Sequence, residues 1–221
     1  MSAEIATFVR ETLGHQASDP ALFDLAFVHS SIGKQSYERL EFLGDRVLGL
    51  VIAESLYRRY PHEPEGNLSR RYNALVARET CAEVGRTIGV PALVRLGKQA
   101  REDRANEGDN VVGDVVEALI GALLLDGGLA AAEQFIANAW GSYLDGQLRV
   151  PHHPKSTLQE LAAAKGRAAP LYEVTARSGA HHAPLFTVKV SVRGIGEASA
   201  EGSSKQEAET AAAEALLAQL Q

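Results

Sequence analysis

The sequence predicts an all-α domain followed by a small α+β domain with the element order α-β-β-β-α. In residues 1–148 the apolar runs are far longer than strands, and helix start and stop signals recur. Residues 149–154 contain two prolines and no apolar periodicity. Beyond this break, apolar and polar residues alternate over residues 186–192, the period of a half-buried strand. We therefore predict one domain at 1–148, a linker at 149–154 and a second domain at 155–221.

Turn signals divide the first domain into helices. They stand at Asp19-Pro20 and in residues 61–66, 107–109 and 126–128. Because the apolar runs between these signals are far longer than strands, this half of the chain is predicted to be helical throughout. The predicted helices cover residues 2–13, 20–30, 36–60, 67–88, 109–125 and 129–147.

Capping-box spacing opens both helices of the second domain. Ser156 stands three residues before Gln159, and Ser204 stands three residues before Glu207. The first helix is predicted to end near residue 165, and the second continues along an alanine-rich face. Between them we predict strands over residues 171–178, 186–192 and 197–201.

Composition excludes several classes of protein. The 221 residues are 45% apolar and 23% charged, as in an ordinary globular protein. The lone Cys81 excludes an intrachain disulfide and a thiolate-rich zinc site. The N-terminus contains Glu4 and Glu11 and lacks an apolar signal segment, and no uninterrupted apolar run approaches the roughly 18 residues of a membrane span. We therefore expect a cytoplasmic protein with no membrane partner.

Charge by itself does not nominate a nucleic-acid partner. The net charge is −6, whereas proteins that coat nucleic acid without sequence preference use many Lys and Arg residues. Residues 1–150 carry 15 basic and 21 acidic side chains, and residues 151–221 carry 7 of each. If nucleic acid binds, individually placed basic groups or bound cations must provide the attraction.

Five acidic side chains interrupt two helices that are otherwise too apolar to lie on a surface. Glu38, Glu41 and Asp45 are spaced i, i+3 and i+7, which places them on one face of the first helix. Asp114 and Glu117 are spaced i and i+3 on the second. Burying an ionised carboxylate among apolar side chains costs on the order of several kcal/mol of desolvation free energy. A cation or hydrogen bonds must compensate this cost.

Two explanations account for these acids. Arg39, Arg46 or helix N-termini could pair with them as internal ion pairs, which is the ordinary arrangement for a single buried carboxylate. If the two helices face each other, however, the converging carboxylates exceed the nearby arginines and favour a hard divalent cation. We expect Mg²⁺, with Mn²⁺ as a substitute. A di-iron site in a helical bundle is the competing interpretation, but such sites use Glu-x-x-His, and neither cluster has a histidine three residues after a glutamate. Oxygen-only ligands suit hydrolysis at phosphate.

Residues 38–45, ERLEFLGD, followed by RVL, resemble the signature of the ribonuclease III family of double-strand-specific endoribonucleases. Residues 113–128, GDVVEALIGALLLDGG, resemble that family's second acidic motif. Independently, residues 156–161, 179–186 and 202–213 resemble a double-stranded-RNA-binding domain. The resemblance implies an all-α endonuclease domain that forms a homodimer, and a C-terminal α-β-β-β-α domain that binds double-stranded RNA. It also implies 5′-phosphate and 3′-hydroxyl ends with short 3′ overhangs, and substrates among ribosomal-RNA precursors and structured messenger RNAs.

The resemblance also implies roles for individual residues of the first domain. Glu38 resembles an additional catalytic acid near the reacting strand. Glu65 lies where the family has an acid lining the catalytic valley, although a solvated loop position is the alternative. Phe42 resembles an aromatic residue at the dimer interface, with core packing within one chain as its alternative. The residues that resemble the metal-binding and catalytic acids are Glu41, Asp45, Asp114 and Glu117.

In the second domain, the resemblance implies three contacts with an RNA duplex. Gln159 and Glu160 on the first helix would meet one minor groove and His182 the next, while Lys205 would meet the intervening phosphates. A phosphate contact at Lys205 is also expected for an independent reason, because a helix N-terminus attracts phosphate. The chain departs from the family pattern at Gln206, where a second basic residue is usual, and at Ala180, where a proline is usual. A second hypothesis, from a different class, is a noncatalytic regulator that binds duplex RNA.

Overall fold

The computed structural model describes residues 2–146, 154–180 and 183–220. The chain forms two compact units, Met1–Pro151 and His152–Gln221. Most of the predicted linker, residues 149–153, lies outside the described residues. Pro154 belongs to the following helix instead of the linker; proline suits the first helical position because the N–H that it lacks has no partner within the helix there.

Helices alone make up the regular structure described in the first unit, as the sequence predicts. The long helices α3 (Glu38–Arg59) and α7 (Asp109–Gly146) pack against each other at its centre, and α5 (Arg78–Thr87) packs on α7. Apolar side chains of these helices that lie in the core, such as Leu48, Ile52 and Leu119, are fully buried. Two short 3-10 helices, Val90–Ala92 and Ala105–Glu107, lie in the connections. The α-helices are α1 Ala3–Glu11, α2 Pro20–Ala26, α3 Glu38–Arg59, α4 Glu65–Leu75, α5 Arg78–Thr87, α6 Lys98–Glu102 and α7 Asp109–Gly146.

Glycine bends α7 at the predicted turn. Gly128 adopts φ 74° and ψ −179°, a positive-φ, non-helical conformation that separates α7 into two helical segments. The two halves of α7 correspond to the two helices predicted over 109–125 and 129–147. The prediction therefore placed the break correctly.

The single helix predicted over residues 67–88 is wrong, because the structure has α4 and α5 separated by an extended residue at Ala77, with ψ 145°. Tertiary contacts maintain this break. The indole of Trp140 donates a hydrogen bond of 2.9 Å to the carbonyl of Leu75, and the hydroxyl of Thr80 donates one of 2.7 Å to Ala74. Both bonds satisfy carbonyl groups at the end of α4 that would otherwise lack partners. No glycine or proline marks the site in the sequence.

One described helix, α7, is long and apolar enough to cross a membrane, with a mean hydropathy of 1.8 in its most apolar window of 18 residues. Half of that window is buried inside the first unit. Core helices of folded domains share these properties, so the length and composition of α7 are weak evidence for a membrane span.

The second unit has a three-stranded antiparallel sheet; helix α9 (Lys205–Ala218) packs on the sheet, and helix α8 (Pro154–Ala164) packs on α9. Its core contains Val188, Val190 and Val192 from the predicted alternating strand, together with Leu158 and Leu216 from the helices. The elements are α8 Pro154–Ala164, β1 Leu171–Ala180, β2 Ala183–Val192, β3 Gly196–Gly202 and α9 Lys205–Ala218. The strand order is β1-β2-β3.

Ser204 caps α9, as its spacing to Glu207 predicts. The hydroxyl of Ser204 accepts a hydrogen bond of 3.1 Å from the backbone N–H of Glu207. The carboxylate of Glu207 accepts one of 2.7 Å from the backbone N–H of Ser203. These hydrogen bonds hold Lys205, the first residue of α9, at the N-terminus of the helix.

Candidate metal and RNA-binding sites

Three of the predicted acids converge where α3 and α7 pack together. Glu41 on α3 and Asp114 and Glu117 on α7 each offer a carboxylate oxygen, and these oxygens lie within 4.8 Å of one another. We call these three residues the acid group. All three side chains are partly buried. The convergence of two helices that the spacing suggested is therefore present for these residues.

Burial raises the pKa of each member of the acid group, and the charges of neighbouring carboxylates add to the rise. Desolvation is the largest cause for all three carboxyls. It raises the pKa of Glu117 to about 7, with further contributions from the charges of Glu41 and Asp114. The pKa of Glu41 is raised in the same way, while Tyr37 and Arg78 partly offset the rise for Asp114. The surrounding protein therefore does not compensate the negative charge that these carboxylates bring together.

Two neutral side chains contact the acid group. The hydroxyl of Tyr37 donates a hydrogen bond of 3.3 Å to Oδ2 of Asp114. The thiol of Cys81 lies 3.9 Å from Oε1 of Glu117 and donates toward it. Burial, together with the nearby charge of Glu117, raises the pKa of Cys81 to about 12, so the thiol is protonated. Neither group brings positive charge to the site.

Asp45 and Glu38 lie on the same helix but outside the acid group among the described residues. Asp45 pairs with Arg46 and is about one-third exposed. Glu38 is exposed at the start of α3 and accepts a hydrogen bond of 3.0 Å from the hydroxyl of Ser36. Arginine pairing, the alternative to metal binding, is thus present at Asp45 and absent from the contacts described for Glu117.

The acid group fits a hard divalent cation. Its members supply only oxygen atoms, are close enough to share one ion, and carry a charge surplus that such an ion would neutralise. No histidine belongs to the group, and the sulfur of Cys81 is protonated. These properties fit Mg²⁺ better than Zn²⁺.

Phe42 and Glu65 both lie on the surface of the first unit. The Phe42 side chain is 63% exposed, and the guanidinium of Arg46 lies 5.3 Å from its ring centroid. The alternative of core packing within one chain is therefore wrong for Phe42. Glu65, the first residue of α4, is exposed and accepts a hydrogen bond of 2.5 Å from the hydroxyl of Ser69.

The predicted RNA-binding residues of the second unit lie on its surface where they are described. Gln159, Glu160 and Lys205 are exposed. Gln159 and Lys205 line one groove of about 570 Å³ between α8 and α9. His182 lies outside the described residues.

Sequence reasoning missed Lys155, which lines the same groove as Lys205. Its ammonium pairs with Glu209 at 2.5 Å and lies 4.8 Å from the ring centroid of Tyr172. The prediction placed this residue at the edge of a linker. The proline at the preceding position was the available signal for an earlier helix start.

Two family models together match most of the chain. The model described as Ribonuclease-III-like matches residues 19–142, and the model described as Double-stranded RNA binding motif matches residues 154–220. The first match contains the whole acid group, and the second contains the groove between α8 and α9.

Curated relatives and a solved structure agree with these matches. Ribonuclease 3 of Zymomonas mobilis is 56% identical over 211 residues, covering 96% of this chain and 86% of the relative. Ribonuclease 3 of Caulobacter vibrioides is 45% identical over 212 residues, covering 93% of this chain and 91% of the relative.

The solved nuclease domain of ribonuclease III from Campylobacter jejuni has a TM-score of 0.60 and is 29% identical, covering 61% of this chain and 95% of that one. A noncatalytic regulator is disfavoured by this agreement with named nucleases. The chain belongs to the ribonuclease III family and is an endoribonuclease that acts on double-stranded RNA.

Proposed function

We propose that the chain hydrolyses phosphodiester bonds of double-stranded RNA with Mg²⁺ held by the acid group. The observation that carries this proposal is the approach of three carboxylate oxygens within 4.8 Å at the packing of α3 and α7. Their raised pKa values support it, because an arrangement that is unfavourable by itself becomes favourable when it binds a cation.

Glu41, Asp114 and Glu117 would hold the ion, and Mn²⁺ would substitute for it. When bound, a divalent cation supplies charge for the developing negative oxygen and lowers the pKa of a coordinated water. Asp45 is proposed as a fourth ligand that must leave Arg46 to act. Glu38, exposed one turn before Glu41, is proposed to act as an additional acid near the reacting strand.

We propose that two chains form the working enzyme. A duplex has two antiparallel strands, and a two-fold dimer presents equivalent sites to both. The Campylobacter jejuni structure was described with a region involved in dimer formation. The exposed ring of Phe42 supports a place for this residue at the interface. Cleavage would leave 5′-phosphate and 3′-hydroxyl ends with short 3′ overhangs.

We propose that the second unit positions the duplex. Double-stranded RNA displays 2′-hydroxyls in its minor groove and phosphates across the major groove. Gln159 and Glu160 would meet the hydroxyls, and Lys205 the phosphates. Glu65 is proposed to line the path of the RNA on the nuclease domain, and His182 to contact a second minor groove. Ribosomal-RNA precursors and structured messenger RNAs in the cytoplasm are the proposed substrates.

The test is incubation of the purified chain with a long RNA duplex and with a single-stranded RNA of the same length. Cleavage of the duplex alone, dependent on added Mg²⁺ and abolished by chelator, is the expected result. End-labelling of the products would identify the terminal phosphate. A duplex that stays intact with both Mg²⁺ and Mn²⁺ would contradict the proposal.

A further inference from the structure

Tyr37 connects the two helices that carry the acid group. It is the residue before α3, and its backbone carbonyl accepts a hydrogen bond of 2.9 Å from the N–H of Glu41. Its side chain crosses to α7, where the hydroxyl donates to Oδ2 of Asp114 at 3.3 Å. One residue therefore contacts a ligand candidate on each helix, once through its backbone and once through its side chain.

The ring of Tyr37 is held in place on several sides. The side chain is 3% exposed, and its backbone N–H donates a hydrogen bond of 2.9 Å to Val28. The ring of His29 packs edge-on against it with centroids 5.8 Å apart. Nδ1 of His29 in turn contacts the hydroxyl of Ser31 at 2.8 Å. The tyrosine hydroxyl therefore has little freedom to turn away from Asp114.

We propose that Tyr37 is a positioning residue, whose hydroxyl fixes the carboxylate of Asp114 for binding the divalent cation. This inference rests on the proposed metal site. A carboxylate that accepts a hydrogen bond at Oδ2 is restrained about its side-chain torsions, so less entropy is lost when it binds an ion. Such partners of metal ligands typically change metal affinity about 10- to 100-fold when they are removed.

An ordinary structural role would give a different result. A buried tyrosine hydroxyl needs an acceptor, and Asp114 could serve only that need. In that case, removing the hydroxyl would lower stability without changing metal affinity. The two roles are therefore separated by measuring stability and metal affinity on the same variants.

The test variant is Tyr37→Phe, which keeps the packed ring and removes only the hydroxyl. The matched control is Tyr143→Phe, because the hydroxyl of Tyr143 also lies near a carboxylate, that of Glu83, outside the acid group. Mn²⁺ binding to each full-length protein is measured without RNA from the paramagnetic resonance of the free ion. Thermal unfolding is measured with chelator, and duplex cleavage is measured against both RNA and Mg²⁺ concentration.

We expect the Mn²⁺ dissociation constant to rise about tenfold in Tyr37→Phe and to change less than about twofold in Tyr143→Phe. KM for RNA should be unchanged, and high Mg²⁺ should restore most of kcat. Equal Mn²⁺ affinity in wild type and Tyr37→Phe would overturn the positioning role while leaving the proposed function intact. If the wild-type protein binds no Mn²⁺, or if Glu117→Gln binds it equally well, the metal site and the inference both fail.

Discussion

Gly44 on α3 and Gly121 on α7 face each other where the two helices cross, and neither has room for a Cβ atom. A Cβ on Gly44 would lie 2.9 Å from the backbone nitrogen of Gly121, and one on Gly121 would lie 3.3 Å from that of Gly44. Backbone therefore packs on backbone at this crossing. Because Glu41 and Glu117 lie about one turn from these glycines, the crossing brings their carboxylates together.

Gly44→Ala should separate the two helices. Overpacking of this kind costs about 1–3 kcal/mol of unfolding free energy, and Mg²⁺ affinity should fall with it. Denaturant unfolding measures the first effect. The matched control is Gly141→Ala on α7, where a Cβ meets nothing within 4 Å and alanine should stabilise the helix by about 0.5–1 kcal/mol. Equal unfolding free energies for Gly44→Ala and wild type would show that the crossing tolerates a methyl group.

Glu117→Gln should abolish cleavage and retain RNA binding. The amide keeps the size of the side chain but removes a charged oxygen ligand, so cleavage should fall more than about 100-fold, beyond the effect of losing an outer partner of a metal ligand. Cleavage of a labelled duplex and gel-shift binding without metal provide the two readouts. Glu133→Gln, on the same helix and outside the acid group, serves as the control. Parallel loss of binding and cleavage would contradict the assigned role.

The metal-free protein should lose stability as the pH rises through about 7. In the folded state the pKa of Glu117 is about 7, above its ordinary value of 4.5, so between these values the folded chain holds a proton that the unfolded chain releases. This stabilising contribution is complete below pH 4.5 and is lost as the pH passes the folded value. With allowance for partial exposure, the change is on the order of 2 kcal/mol.

Denaturant unfolding in chelator from pH 5 to 8 measures this loss. Glu117→Gln should flatten the decline, since the variant has no proton to release at this position. Mg²⁺ should stabilise the wild type most at high pH, where the carboxylates are ionised. A stability that rises from pH 5 to 8 in the wild type and not in the variant would have the wrong sign for a raised pKa.

Lys205→Ala should weaken duplex binding and reduce the dependence of log Kd on log salt concentration by about one. The wild-type slope itself should be shallow, because residues 151–221 carry as many acidic as basic side chains. Binding is best measured in the Glu117→Gln background, so that the RNA stays intact. Lys189→Ala is the control, since Lys189 pairs with Glu197 at 2.6 Å on the sheet. An unchanged slope for Lys205→Ala would exclude a phosphate contact.

Local patterns predicted the elements whose signals lie close together in sequence. The alternation around Val188 and Val190 identified β2, and the spacing of Ser204 and Glu207 identified the start of α9, because these signals act over two to four residues. The break at Ala77 was missed because the indole of Trp140, far along the chain, maintains it.

In the candidate site, too, local sequence signals predicted some features, and contacts between distant residues determine the others. Helical spacing put Glu41 on one face of α3 and Asp114 and Glu117 on one face of α7. Their convergence was predicted on the condition that the two helices face each other, and the packing of α3 on α7 meets that condition. The same spacing put Asp45 with them, but its neighbour Arg46 provides a competing partner that periodicity does not weigh. The bond from Tyr37 to Asp114 spans 77 residues and leaves no local signal in the sequence.

The lone thiol provides a reporter for motion at this centre. Cys81 is fully buried between α5 and α7, and its pKa of about 12 keeps it unreactive while the helices stay packed. A maleimide or disulfide reagent can therefore modify the protein only during moments when α5 separates from its neighbour. The labelling rate therefore reports how accessible the thiol becomes, in the native enzyme and without any introduced probe, and a cation bound at the adjacent carboxylates should slow the modification of this single sulfur atom.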